Sequence, residues 1–171
     1  MTKFALKYIL LFLLLVPAQS IVFNRMVLFD VAVPIVFIYL IIYLPVTLGT
    51  NLSTLLGFAS GMLVDVFCDT PGLNALGCTV LSFIRKPTFH LYVSYDDDLA
   101  GRSPSARTMG ASSFMKYMGT MALIYCVMVF TVEAFQFFNF RLLILRIVAS
   151  AVYTFILLYA LDALLFRSRD I

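Results

Sequence analysis

The chain has 171 residues, of which 63% are hydrophobic and only 12% charged, and it carries a net charge of +3. A soluble domain is usually about half apolar and a quarter charged, so these charges are too few to cover a water-facing surface. Composition therefore excludes a soluble enzyme or a nucleic-acid-binding module and predicts an all-α integral membrane protein.

A hydrocarbon core about 30 Å thick needs roughly 20 helical residues to cross it, and the apolar runs predict six spans. The first covers residues 4–23 and is interrupted by Lys7 and Pro17. Lys3, Lys7 and the small-residue triplet Ala18-Gln19-Ser20 mimic a secretory leader. Apolar sequence resumes at once with "IVF", however, so this helix is expected to be retained. The second span covers 28–48, the third 52–68 and the fourth 73–84. Spans three and four are short and crowded with Gly, Ser, Thr and Cys, as suits helices buried among others. A polar loop is expected over 85–113, followed by spans at 114–138 and 142–166.

Orientation follows the Lys and Arg bias. With a cytoplasmic N-terminus, Lys3, Lys7, Arg85, Lys86, Arg102, Arg107, Lys116, Arg167 and Arg169 lie inside, whereas Arg25, Arg141 and Arg146 lie outside. Both termini are therefore predicted to be cytoplasmic. Cys68, Cys78 and Cys126 form no CxxC or Cys/His cluster, and the single histidine, His90, has no second ligand nearby in sequence. The cysteines read as small packing residues. Asp96, Asp97 and Asp98 in the loop read as a solvated acidic turn, since a divalent site needs more oxygen ligands at defined spacing. No metal and no cofactor are expected.

Residues 57–77, "GFASGMLVDVFCDTPGLNALG", place Asp65 and Asp69 in membrane-like sequence. Ser53, Gly57, Gly61 and Asp65 recur every four residues and so form one stripe on a helix. Within it "GFASG" is a GxxxG motif, which lets a second helix approach closely. Asn74, Cys78 and Ser82 repeat the spacing on the following span, and "DTPG" between them supplies a turn through Asp69, Thr70, Pro71 and Gly72. A tight hairpin is predicted, with Asp65 within reach of Asn74 and bonded to freed backbone amides.

"GMLVDVFCD" also fits GxxxDxxxD, the tail of the motif of CDP-alcohol phosphotransferases. The preceding "LGTNLSTLLGFAS" contains no Asp, Glu, Arg or Lys, so half of the metal and phosphate ligands are missing and that reading is rejected. Glu133 and Arg146 lie six and seven residues from a turn near Asn139, which puts them roughly 9–10 Å along adjacent helices and predicts a salt bridge. Asp162 lies near Arg167 at the inner face. No chain of acids crosses the membrane, as an ion relay would need.

The span order, the chain length and "GFASGMLVDVFCDTPGLNAL" resemble MreD, the family of bacterial rod shape-determining membrane proteins, on Gly61, Asp65, Gly72, Leu73, Ala75 and Leu76. Asn74 departs from the pattern, where other members often carry His. The resemblance implies a non-enzymatic scaffold in the bacterial inner (cytoplasmic) membrane. It implies partnership with MreC and, directly or indirectly, with the cytoskeletal MreB, a RodA-type glycosyltransferase and a class B penicillin-binding transpeptidase. On that reading Ser53, Gly57, Gly61, Asp65, Asp69, Gly72, Asn74, Glu133 and Arg146 shape structural or partner-binding surfaces. The family is also similar in architecture to the six-helix S-components of energy-coupling-factor vitamin transporters. That leaves an alternative: a small-ligand-binding subunit whose outward pocket is rimmed by Asp30, Asp65, Asp69, Asn74 and Glu133.

Overall fold

A computed structural model describes residues 2–28, 31–93, 104–134 and 139–167. Asp30, Asp96 to Asp98, Arg102 and Arg169 lie outside the described residues. The elements are all helical: α1 (Thr2–Ile21), a short 3₁₀ turn (Phe23–Arg25), α2 (Tyr39–Ile42), α3 (Thr50–Cys68), α4 (Leu73–Tyr92), α5 (Ala106–Met109), α6 (Ala111–Ala134) and α7 (Phe140–Arg167). Among the described residues four stretches are long and apolar enough to cross a membrane: Tyr8–Arg25, Thr50–Cys68, Ala111–Ala134 and Phe140–Leu165. The helices pack in the order α1, α3, α4, α6, α7, each against the next.

The second span is not a helix. Among the described residues of 28–48 only the single turn α2 is α-helical, and this segment forms the centre of the molecule, with Ile38 to Ile42 fully buried. Pro34 and Pro45 explain why. Each disfavours helical geometry in the residue before it and lacks the N–H a helix needs. Buried irregular backbone needs partners for its polar groups, and side chains from α1 and α7 supply them. Val33 N–H donates to Ser150 Oγ and Ile35 N–H to Thr154 Oγ1, both at 3.0 Å. Gln19 Oε1 accepts from the N–H groups of Val36 (2.8 Å) and Phe37 (3.3 Å), while its Nε2 donates to Pro34 O at 2.8 Å. Tyr39 OH donates to Asp162 Oδ1 at 2.8 Å. The partners step from Ser150 through Thr154 to Asp162, so the segment runs alongside α7 in the same direction.

Gln19 is thus the main hydrogen-bonding side chain of α1 toward the central segment. Gln19→Leu removes the acceptor of two buried backbone amides, at about 1–3 kcal/mol for each one left unsatisfied. The expected result is a clearly lowered thermal unfolding midpoint in detergent.

The fourth helix does not stop at residue 84. It continues to Tyr92 through Arg85, Lys86, Pro87 and His90, so the expected loop does not begin at residue 85. After residues 94–103, which lie outside the described residues, comes a capped turn at Ser105, whose N–H donates to Thr108 Oγ1 at 2.9 Å. Arg85 is 1% exposed rather than in an aqueous loop. Its Nη1 donates to Leu44 O, and its Nη2 to Pro45 O (3.0 Å) and Ser53 Oγ (3.2 Å). Leaving it out of the cytoplasmic set keeps the Lys and Arg bias in the same direction. Leu44 O has no backbone donor among the described hydrogen bonds, and Pro45 O is shared between Arg85 and the N–H of Leu48 (3.2 Å); a guanidinium fork is suited to collecting several such carbonyls.

Candidate functional site: the α3–α4 hairpin and the α6–α7 ion pair

The small-residue stripe of α3 faces α4 along its whole length. Near the helix start, Ser53 meets Arg85. One turn on, a Cβ added at Gly57 would lie 2.1 Å from Ser82 Oγ and 2.8 Å from Cys78 O. At Gly61 it would lie 2.5 Å from Asn74 O and 2.6 Å from Ala75 Cα. The two helix backbones therefore touch at the glycines, which is the close approach such spacing permits.

Asp65, 5% exposed, closes the top of the hairpin. Its backbone carbonyl accepts the N–H of Asp69, which ends α3 in the left-handed region at φ 58°, and that of Thr70 at 3.2 Å. Asp65 Oδ1 accepts from Thr70 Oγ1 (2.8 Å), Asn74 N–H (2.9 Å) and Asn74 Nδ2 (2.9 Å), and Oδ2 accepts from Ala75 N–H (2.8 Å). The first amides of a helix lack intrahelical partners and carry partial positive charge. The residue preceding α4 is Gly72, at φ 80°, which has no side chain to cap them. Asp65 supplies the missing cap from the previous helix. Leu73 N–H reaches Thr70 O (3.4 Å) and Leu76 N–H reaches Gly72 O (3.0 Å), so each of the first four amides has an acceptor.

Asn74 carries the network into α6: its Oδ1 accepts from Tyr125 OH at 2.7 Å. Sequence reasoning missed Tyr125, because an aromatic in an apolar helix gives no sign of the polar atom its hydroxyl meets. Gln19 and Arg85 did leave a signal, as strongly polar groups within or beside apolar helices. Cys68, Cys78 and Cys126 are unpaired, the last two buried. Among the described residues no group of three His, Cys, Asp or Glu side chains is placed to hold a metal ion.

Glu133 and Arg146 form an ion pair at 3.2 Å, Nη1 to Oε1. The guanidinium also lies 5.7 Å from the centre of the Phe130 ring, a cation–π distance. The pair thus joins α6 (Ala111–Ala134) to α7 (Phe140–Arg167). It does not join the Asp65 network, but both flank one cavity of about 240 Å³, lined in part by Gln19, Asn24, Thr70, Asn74, Glu133 and Arg146.

Comparison of the chain with protein-family models, with curated proteins and with solved structures returns no match.

Proposed function

We propose that this protein is a non-enzymatic membrane scaffold of the bacterial cell-wall elongation machinery, of the MreD kind, sited in the inner membrane and holding MreC together with peptidoglycan-synthesis and cytoskeletal partners. The observation that carries the reading is the state of Asp65. Its two carboxylate oxygens receive four hydrogen bonds and are wholly committed to bracing the hairpin, so the motif that resembles that family builds a rigid shape rather than a reactive group. We further infer six passes: the four apolar helices, α4, and the central segment 31–48. Extended backbone advances about 3.3 Å per residue, against 1.5 Å in a helix, so a partly extended segment spans more depth than its length suggests. Six passes put both termini on the cytoplasmic side, in keeping with the Lys and Arg bias.

The test is recovery of the tagged chain from native membranes with identification of what accompanies it. MreC and a wall-synthesis enzyme are expected to be enriched over a control membrane protein. Wild-type protein recovered intact without them overturns the scaffold.

The second reading, a ligand-binding subunit resembling the S-components of energy-coupling-factor transporters, is favoured by one observation: the cavity flanked by Asn74, Glu133 and Arg146. A water-soluble metabolite retained through purification is the result that reading requires.

A further inference from the structure

The Glu133–Arg146 pair poses a physical problem that the scaffold reading leaves untouched. Both side chains remain partly exposed, at 38% and 30% respectively, on apolar helices whose neighbouring residues Phe140, Leu142 and Leu145 are themselves exposed. In a bilayer those faces meet lipid, and charges that meet lipid demand a polar partner. The pair is also not saturated within the chain. Glu133 uses Oε1 alone among its described hydrogen bonds, and Arg146 uses Nη1, leaving Nε without a partner.

Two cavities meet at this pair. One is a groove of about 430 Å³ between α6 and α7, walled by Phe130, Leu142 and Leu143, with Asn139 also lining it. The other is the cavity of about 240 Å³ that reaches Thr70 and Asn74. Phe130, Glu133 and Arg146 line both. An apolar groove that leads to adjacent negative and positive charges matches a molecule with a hydrocarbon chain and a headgroup carrying the opposite pair. We propose that this groove binds one zwitterionic amino-phospholipid, with the ammonium on Glu133, the phosphate on Arg146 and an acyl chain along Leu142 and Leu143. Nε is buried, so Arg146 offers the phosphate the remaining N–H groups of Nη1 and Nη2 in fork geometry. Glu133 offers the ammonium its second oxygen. A purely anionic lipid meets repulsion from Glu133, and a quaternary ammonium has no N–H to donate to it, so the pair selects for a primary amine. A partner helix is the less favoured occupant, because it would cover the groove without entering the cavity behind the pair.

The experiment uses the full chain reconstituted in nanodiscs of equal parts phosphatidylethanolamine, phosphatidylcholine and phosphatidylglycerol, extracted gently and weighed by native mass spectrometry. Wild type is expected to retain one phosphatidylethanolamine, enriched about tenfold over either competitor, a difference of about 1.4 kcal/mol. Glu133→Gln should lower that enrichment while still holding lipid, and Arg146→Gln should lose the retained lipid. Leu142→Trp, at an exposed position, should lose it with the ion pair intact and the unfolding midpoint unchanged. Retention in the input ratio by wild type, or a wild-type lipid profile in Arg146→Gln or Leu142→Trp, overturns the proposal. A water-soluble metabolite in place of lipid also overturns it. Recovery of MreC is scored separately, so failure here is distinct from failure of the scaffold.

Discussion

Replacing Asp65 with Leu is expected to lower the thermal unfolding midpoint in detergent by about 6–12 °C. The side chain caps the α4 amides of Asn74 and Ala75 and fixes Thr70 and the Asn74 amide. Leucine accepts none of these. The two side-chain donors can turn elsewhere, but the two backbone amides cannot, and buried unsatisfied donors cost about 1–3 kcal/mol each. A loss near 3 kcal/mol in a chain of this size corresponds to that temperature shift. Asp65→Asn gives a graded outcome. Its carbonyl can still take the Oδ1 position, whereas its NH₂ then faces the Ala75 N–H. One donor is lost instead of four, and the midpoint should fall by less than half as much. Recovery of MreC should follow the same order if the hairpin shapes the docking surface. A leucine variant that melts with wild type rules out the capping role.

The hairpin was legible in the sequence because its signals are local. A four-residue spacing of small and polar groups puts Ser53, Gly57, Gly61 and Asp65 on one line, and "DTPG" can only be a turn. The central segment was not legible, and the reason is physical. An apolar run with no periodicity describes a lipid-facing helix and a segment buried on every side equally well, and both are hydrophobic throughout. What separates them is the location of hydrogen-bond partners, which lie at Gln19, Ser150 and Thr154, far away in sequence. Pro34 and Pro45 were the local hint. The misplacement of Arg85 has the same origin: once 28–48 is taken as a helix, its carbonyls are satisfied internally and a cation beside them has no purpose. With the turn ended before Pro45, Leu44 O is left without a backbone donor among the described hydrogen bonds, and Arg85 belongs at its side instead of in water. The Glu133–Arg146 pairing was readable from register alone; the groove beside it was not, because grooves depend on where apolar side chains leave space.

The second large effect is expected at Gly61, where even alanine should be disruptive. An added Cβ meets Asn74 O at 2.5 Å, Ala75 Cα at 2.6 Å and Ala75 N at 2.7 Å. All three are backbone atoms in the first turn of α4, so no rotamer change relieves the contact and the helices must separate. Overpacking of this kind costs typically 1–3 kcal/mol, and here it carries a further loss. The atoms pushed away belong to the residues that Asp65 caps, so moving them lengthens bonds now at 2.8–2.9 Å. At Gly57 the nearest obstacle is the rotatable Ser82 Oγ and one backbone atom, Cys78 O, lies at 2.8 Å, against three backbone atoms at 2.5–2.7 Å at Gly61, so Gly57→Ala should cost less. Gly119, whose added Cβ would find only ordinary contact with Phe155 at 3.5 Å, is the control: alanine there should be neutral or stabilising, as mid-helix glycine is unfavourable by about 1 kcal/mol. Because Gly61→Ala and Asp65→Leu break one shared contact, their effects should not add, and the double variant should be less destabilised than the sum of the singles. Strict additivity would mean that close approach and capping are separate devices, and that the hairpin is not the single rigid unit described above.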